Sequence, residues 1–292
     1  MTAHDAPPGL TPADVDALTA LAEEAARAAG DLVRAGDGTR PAVTSTKSSP
    51  TDVVTAMDRA SERLLREFLA ERRPDDGQLG EEEAGLRPGS TGLTWVLDPI
   101  DGTVNYLYRI PVYAVSVAVV TGDPRVPGAW STVAGCVHHV VTGQSWTAGL
   151  GRGARQDGAR LRLPAPAVAA DGTADLSQAL VATGFGYRPE RRAHQAQVFA
   201  AIAPHIRDLR RIGSASIDIC MVASGLVDLY YERGLNVWDL AAAALVLTEA
   251  GGAVGGLEGR PLGDRTVLAG DPALCARLAP LLVAAGADAD GV

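Results

Sequence analysis

Lysine is almost missing from this sequence: of 26 basic residues only Lys47 is a lysine, and the rest are arginine. Cysteine is scarce as well. Cys136, Cys220 and Cys275 lie far apart and form no Cys-x-x-Cys pair, which argues against a disulfide framework and a structural zinc site and suits a reduced compartment. Long apolar runs are absent. Stretches such as Tyr113 to Val120 and Leu240 to Leu247 are too short to span a bilayer. The first residues, MTAHDAPPGL, have neither a basic nor an apolar segment of the secretory kind, so a cytoplasmic location is expected. Excess positive charge is missing too. A net charge of −9 disfavours nucleic acid and anionic membrane as partners. It would also repel a phosphorylated substrate unless cations intervened. Aromatics make up 4%, so a core of Ala, Val and Leu is expected.

What is present is an ordinary globular mixture: 47% hydrophobic and 21% charged residues over 292 positions, enough for one large domain or two small ones sharing a core. Thr11-Pro12-Ala13-Asp14 reads as a helix start, and helical spacing continues to about Ala35. A second helix is expected from about Ala56 to Glu71. Short strands follow at Thr94 to Leu97 and Tyr113 to Val120. A meander covers Gly128 to Val140, Ser145 to Ala148 and Leu161 to Leu163. The Pro- and Ala-rich stretch Pro164 to Thr173 reads as a linker. Beyond it come a strand at Leu180 to Thr183, a helix at about Arg192 to Ile206, and a helix through Ser216 to Ser224. A strand at Val227 to Tyr231 and a helix from Val237 to Ala250 follow, the latter stopped by Gly251-Gly252. Gly286 to Val292 is expected to fray. The order predicts an α+β half, 1–163, joined to an α/β half, 174–292.

Three acidic segments carry the chemical signal. Asp98-Pro99-Ile100-Asp101-Gly102-Thr103 follows a buried run, so two carboxylates are held in a tight turn at the mouth of a strand. Their mutual repulsion is relieved if a hard divalent cation sits between them. Gly80-Glu81-Glu82-Glu83 and Trp238-Asp239 are the other two. Singly, these segments read as a solvated turn, a surface acidic run and a helix cap.

Together, the GEE segment, DPIDGT with Asn105-Tyr106, and WDLAAAALVLTEAGG resemble the signatures of the inositol monophosphatase family, in the same order. Lys47 to Asp52, Thr55 to Asp58, Gly149 to Gly158, Arg211 to Ala215 and Tyr230 to Glu232 extend the resemblance over roughly Thr11 to Pro280. It implies a layered αβαβα sandwich of two tightly packed subdomains, a homodimer, lithium sensitivity and two to three Mg2+ per site. Glu81, Asp98 and the carbonyl of Ile100 would hold a first ion, and Asp98, Asp101 and Asp239 a second; a third, weaker ion would lean on Glu81. Thr103 and Asp58 would orient or deprotonate the attacking water, with Glu81 a further candidate base and Lys47 beside the metals. Gly102 and Thr103 amides would meet the phosphate. Gly213, Ser214, Ala215, Glu232 and Asp239 would contact the alcohol. The implied substrate is a small phosphorylated polyol such as inositol monophosphate. Histidinol phosphate, fructose bisphosphate, a 3′-phosphoadenosine nucleotide and a non-catalytic interaction role are the alternatives.

The chain departs from the family at Ala241 to Ala244, where a glycine is usual; the added methyls would tighten helix packing or crowd the pocket floor. Other signals read as structural. Gly149-Leu150-Gly151-Arg152-Gly153-Ala154 imitates a dinucleotide fingerprint, but the Asp157-Gly158 turn after it favours a hairpin. His138-His139 alternate across a strand. Trp95 and Trp238 read as core. Phe199, Ile202 and Ile206 form a core or dimer stripe. Arg188 to Arg192 and Arg207 to Arg211 read as solvated faces, with one arginine available to line a substrate entrance.

Overall fold

The structure, a computed structural model, describes residues 9–36, 43–46, 53–83 and 85–289. Helix α1 (Pro12–Ala35) starts as its sequence predicts: Thr11 caps it, Pro12 occupies the first turn, and Asp14 closes a capping box. A short ribbon of β1 (Val43–Thr46) and β2 (Val53–Thr55) leads into α2 (Ala56–Arg72), where Thr55 and Asp58 repeat the same box.

Seven strands then form one sheet in the order β3-β4-β5-β6-β7-β8-β9. They are β3 (Gly77–Gly80), β4 (Leu93–Asp101), β5 (Ala114–Gly122), β6 (Trp130–His139), β7 (Ser145–Gly149), β8 (Gly153–Gln156) and β9 (Ala159–Arg160). Helix α3 (Thr103–Tyr108) interrupts them after β4. Only β3 and β4 run parallel.

A second, five-stranded sheet has the order β11-β10-β12-β14-β13. In chain order its elements are β10 (Leu180–Thr183), α4 (Pro189–Ile202), β11 (Asp208–Arg210), α5 (Ala215–Ala223), β12 (Leu229–Arg233), α6 (Val237–Glu249), β13 (Ala253–Gly256), β14 (Thr266–Gly270) and α7 (Pro272–Ala284).

Alternation along the strands creates three buried layers. Val115, Val117 and Val119 of β5 face α1 and α2, while Ala114 and Ala118 face α5 and α6. On the smaller sheet Tyr230 and Val267 join that same middle layer, while Leu229 and Leu268 turn outward to α4 and α7. The chain is therefore an α+β sandwich layered α/β/α/β/α, with α5 and α6 shared by both sheets.

The Ala-rich run is what lets α6 lie there. Ala241 to Ala244 are all buried, and a methyl on Gly135 of β6 would sit 2.9 Å from Ala242 Cα. None of the four lines the cavity described below, so the departure tightens packing and does not crowd the pocket.

Several local expectations are corrected. Leu161 and Leu163 are not in a strand. Their N–H groups go to Ala154 and Ala250 carbonyls instead. Helix α4 ends at Ile202 because Pro204 has no N–H to extend the ladder. Strands β13 and β14 and helix α7 carried no signal that was recognised. Up to Ala289 the C-terminal segment is tied down: Asp288 accepts from Thr266 N at 2.9 Å, and Arg233 reaches the carbonyl of Ala289 at 2.7 Å. Ile202 is core, with Phe199 and Ile206 packed beside it.

Candidate active site

Strand β4 delivers the two central carboxylates. Residues three apart on a regular strand face opposite sides. Here Asp98 pairs with Ser116 and Asp101 with Ala114, so one extra residue is inserted around Pro99-Ile100. That bulge returns Asp101 to the face of Asp98. Proline suits it, having no ladder N–H to lose. Gly102 then turns the chain with φ 98°, and α3 begins at Thr103.

Asp239 arrives on the first turn of α6, where its carboxylate accepts Asn236 N at 2.6 Å. Carboxylate oxygens of Asp98, Asp101 and Asp239 all lie within 4.8 Å of one another. Glu81 follows β3, whose parallel pairing with β4 sets it beside Asp98; its N–H donates to Leu97 O at 3.2 Å. Buried Glu62 holds that loop, accepting Glu82 N at 2.7 Å and Glu83 N at 3.0 Å while pairing with Arg66 at 2.8 Å.

Burial pushes the Asp98 carboxyl well above the usual range, and the charges of Glu81, Asp101 and Asp239 push it further. Asp239 is raised in the same direction, first by burial and then by Glu81 and Asp101. Asp101 is raised by burial alone. Hydrogen bonds from Ser216, Ser214 and Ala215 at the start of α5 oppose the rise. The donor set is all oxygen, and an added cation would relieve the repulsion that raises these carboxyls, which fits magnesium.

Thr103 Oγ1 lies 3.0 Å from Asp58 Oδ1 and 3.1 Å from the Ile100 carbonyl oxygen, so these three are gathered at one edge of the cluster. Asp58 is fully buried and also accepts Thr55 N at 2.8 Å. Lys47 lies outside the described residues.

A cavity of ≈ 340 Å³ opens over this cluster. Glu81, Asp98, Ile100, Asp101, Gly102, Thr103, Gly213, Ser214, Ala215, Glu232 and Asp239 all line it. Gly213 has φ 99°, and a methyl there would sit 3.0 Å from Asn105 Nδ2. Asn105 itself bridges the carbonyls of Val112 and Ile212 at 2.8 and 2.9 Å, pinning the two halves together beside the cavity. Glu232 accepts from the Tyr230 hydroxyl at 2.5 Å. Its carboxyl is pushed up to about 7, mainly by burial, against the lowering effects of Tyr230 and Arg211.

Four features were not found in the sequence. Glu62 was not singled out in the sequence. Ser216 carried no motif of its own. Asp218 lines the cavity at 1% exposure with one oxygen unpaired, and nothing in its sequence context distinguished it. Arg188, Arg191 and Arg211 line the cavity, so three arginines do what was allowed for one.

The signals set aside stay structural. His138 is bonded to Ser145 at 2.9 Å, and burial lowers it to about 4. The Gly-rich stretch is the β7–β8 turn; Gly151 N and Gly153 N each donate to Glu249 at 2.7 Å, so its amides hold an internal carboxylate. Trp95 is core, whereas Trp238 is half-buried at the cavity wall.

An acidic oxygen cluster that could hold a metal ion lies at the floor of a cleft in this α/β/α/β/α sandwich. The chain belongs to the inositol monophosphatase family, whose model it matches over residues 14–287. Inositol-1-monophosphatase SuhB of Mycobacterium tuberculosis is 47% identical over 227 residues, covering 76% of this chain and 74% of that one. A protein named Nus factor SuhB from Pasteurella multocida is 35% identical over 235 residues, covering 80% and 83%. The solved structure of suhB from Bartonella henselae superposes with a TM-score of 0.79 at 28% identity, covering 94% of this chain and all of that one. No helix among the described residues is long and apolar enough to cross a membrane.

Proposed function

We propose that this chain hydrolyses a small phosphorylated polyol in a magnesium-dependent reaction, with myo-inositol monophosphate as the first substrate to try. The observation that supports this reading is the convergence of Asp98, Asp101 and Asp239 within 4.8 Å at the floor of a polar cleft. Glu81, Asp98, the Ile100 carbonyl, Asp101 and Asp239 would hold the ions. Bound there, magnesium would neutralise the phosphate and acidify a water.

The chain's own groups do the rest. Asp58 accepts from Thr103, so the Thr103 hydroxyl is oriented and its lone pairs face the cleft, where a nucleophilic water can donate. Gly102, in a left-handed conformation, lets the backbone at the start of α3 approach a phosphate oxygen without a side chain in the way. Ser214, Ser216 and Ala215 hold Asp101 in place. Glu232 and the Gly213 to Ala215 segment face the alcohol portion. We place Lys47 beside the metals by resemblance, and a homodimer and lithium inhibition on the same footing. The three intact cavity carboxylates favour catalysis over a purely interacting role.

The test is phosphate release from myo-inositol 1-phosphate across a magnesium titration, beside histidinol phosphate, fructose 1,6-bisphosphate and 3′-phosphoadenosine 5′-phosphate. Release should need magnesium and rank the inositol ester first by kcat/KM. Undiminished activity in Asp101→Asn would rule the mechanism out, and a different ranking would reassign the substrate.

A further inference from the structure

Among the described residues, Asp218 is the one buried carboxyl of the cavity wall that neither the proposed metal binding nor internal hydrogen bonding accounts for. It sits on α5 one turn after Ser214, and its N–H closes the first helical bond to Ser214 O at 2.9 Å. That turn is clamped to the acidic cluster, because Ser214 and Ser216 both donate to Asp101 at 2.7 Å. The side chain is 1% exposed and lines the cavity, yet its Oδ1 has no hydrogen-bond partner. A buried carboxyl oxygen without a partner costs free energy unless a ligand supplies the missing donor.

The surroundings narrow that donor. Glu232 and Asp101 repel negative charge near Asp218, and Arg211 attracts it, with no ion pair between Arg211 and Asp218. Tyr230 already spends its hydroxyl on Glu232. Although Arg188, Arg191 and Arg211 line the same cavity, an anionic group at Asp218 itself would meet Glu232 and Asp101 with only Arg211 attracting it, and a bare hydrocarbon would leave Oδ1 unpaired. A neutral hydroxyl satisfies it, since a carboxyl keeps an acceptor oxygen whether or not it is protonated.

We propose that Asp218 is a specificity-determining residue that accepts a hydrogen bond from a hydroxyl on the alcohol half of the phosphate ester, so that with Glu232 it forms a subsite for a polyol carrying at least two free hydroxyls. This rests on the phosphatase reading above. The alcohol half is thereby read by two carboxyls held on different elements, α5 and β12, while the phosphate is read by the metal cluster.

The experiment compares myo-inositol 1-phosphate with phenyl phosphate, whose alcohol half offers no hydroxyl, in wild type, Asp218→Leu and Asp218→Asn. Wild-type turnover of either ester with magnesium tests the phosphatase reading by itself; if neither is hydrolysed, that reading fails before Asp218 is questioned. With turnover established, Asp218→Leu should lose about tenfold in kcat/KM on the inositol ester, mainly through KM, as expected for one unmade hydrogen bond. Phenyl phosphate should change by less than about twofold. Asp218→Asn keeps an acceptor oxygen and should recover most of the loss. Thermal melting of Asp218→Leu should occur no lower than wild type, because a buried unpaired acid is replaced by an apolar side chain of the same branched skeleton, with the cavity beside it to take the larger methyls. Equal losses on both esters, no loss on the inositol ester, or a Leu variant that no longer folds would each overturn the proposal.

Discussion

Two walls of one cavity treat negative charge in opposite ways. On the wall formed by β3, β4 and the start of α6, Glu81, Asp98, Asp101 and Asp239 crowd together, and burial with mutual repulsion drives Asp98 and Asp239 far above the ordinary carboxyl range. On the other side, Asp218 of α5 and Glu232 of β12 line the cavity together with Arg188 and Arg191 at the start of α4 and Arg211 before α5. The first wall gathers acids that raise one another's carboxyls and so suits a bound cation. On the second, Arg211 offsets part of the repulsion felt by Asp218 and Glu232, and we read that wall as suited to a neutral, hydroxylated group. On the proposed reading, phosphate and alcohol would be told apart by where the protein crowds its acids.

The sharpest way to break this comparison is to remove one carboxylate from the first wall. Asp98→Asn should lower turnover about a thousandfold, the scale of losing one preorganised electrostatic group. The same change should raise the melting temperature of the magnesium-free protein at neutral pH, because it relieves repulsion among buried acids. Steady-state kinetics and calorimetry of one preparation check both halves. A variant that loses activity and stability together would mean that Asp98 is structural.

A smaller effect separates the walls by pH. The folded value of Glu232, about 7, lies above its ordinary 4.5, so the folded protein binds that proton more tightly. Its contribution to stability is full below about pH 4.5 and is lost as pH rises through about 7. Discounted for the water it meets in the cavity, this amounts to about 2 kcal/mol. Denaturant unfolding at constant magnesium should show Glu232→Gln with a flatter pH dependence over that window than wild type. Parallel curves would place the titration elsewhere.

The smallest effect concerns Glu62, which touches neither substrate nor ion. Glu62→Gln weakens the hold on the loop carrying Glu81 and should cost about tenfold to a hundredfold in magnesium affinity, the usual range for a supporting residue. It should leave the ratio of inositol ester to phenyl phosphate unchanged, since the second wall is intact. A shift in that ratio would show that the walls are coupled.

Much of the first wall was legible because its residues are neighbours in sequence or sit at recognisable boundaries. Asp98 and Asp101 lie in one hexapeptide, and Asp239 marks a helix start. Even there the sequence did not say why a three-residue spacing works on a strand; the bulge around Pro99-Ile100 is a property of the pairing with β5. The second wall was legible only in part. Glu232 and the Gly213 to Ala215 segment came from the resemblance and an arginine was allowed at the entrance, whereas Asp218, inside α5, has an ordinary local context and went unmarked. Ser216 shows the same limit, since its hydroxyl acquires meaning only when α5 docks on Asp101.

The amino-acid sequence by itself determined the helix caps, the alternating strands, the glycine turns and the presence of four acids suited to a divalent cation. These are local matters, settled by backbone dihedral preference and by which side of an element is apolar. Only the tertiary structure decided that the acids converge, that Glu62 supports one of them, and that Asp218 is left without a partner. Those depend on the register of β4 against β5 and on the docking of α5 and α6 between two sheets. Long-range packing sets both, and no short window of sequence encodes it.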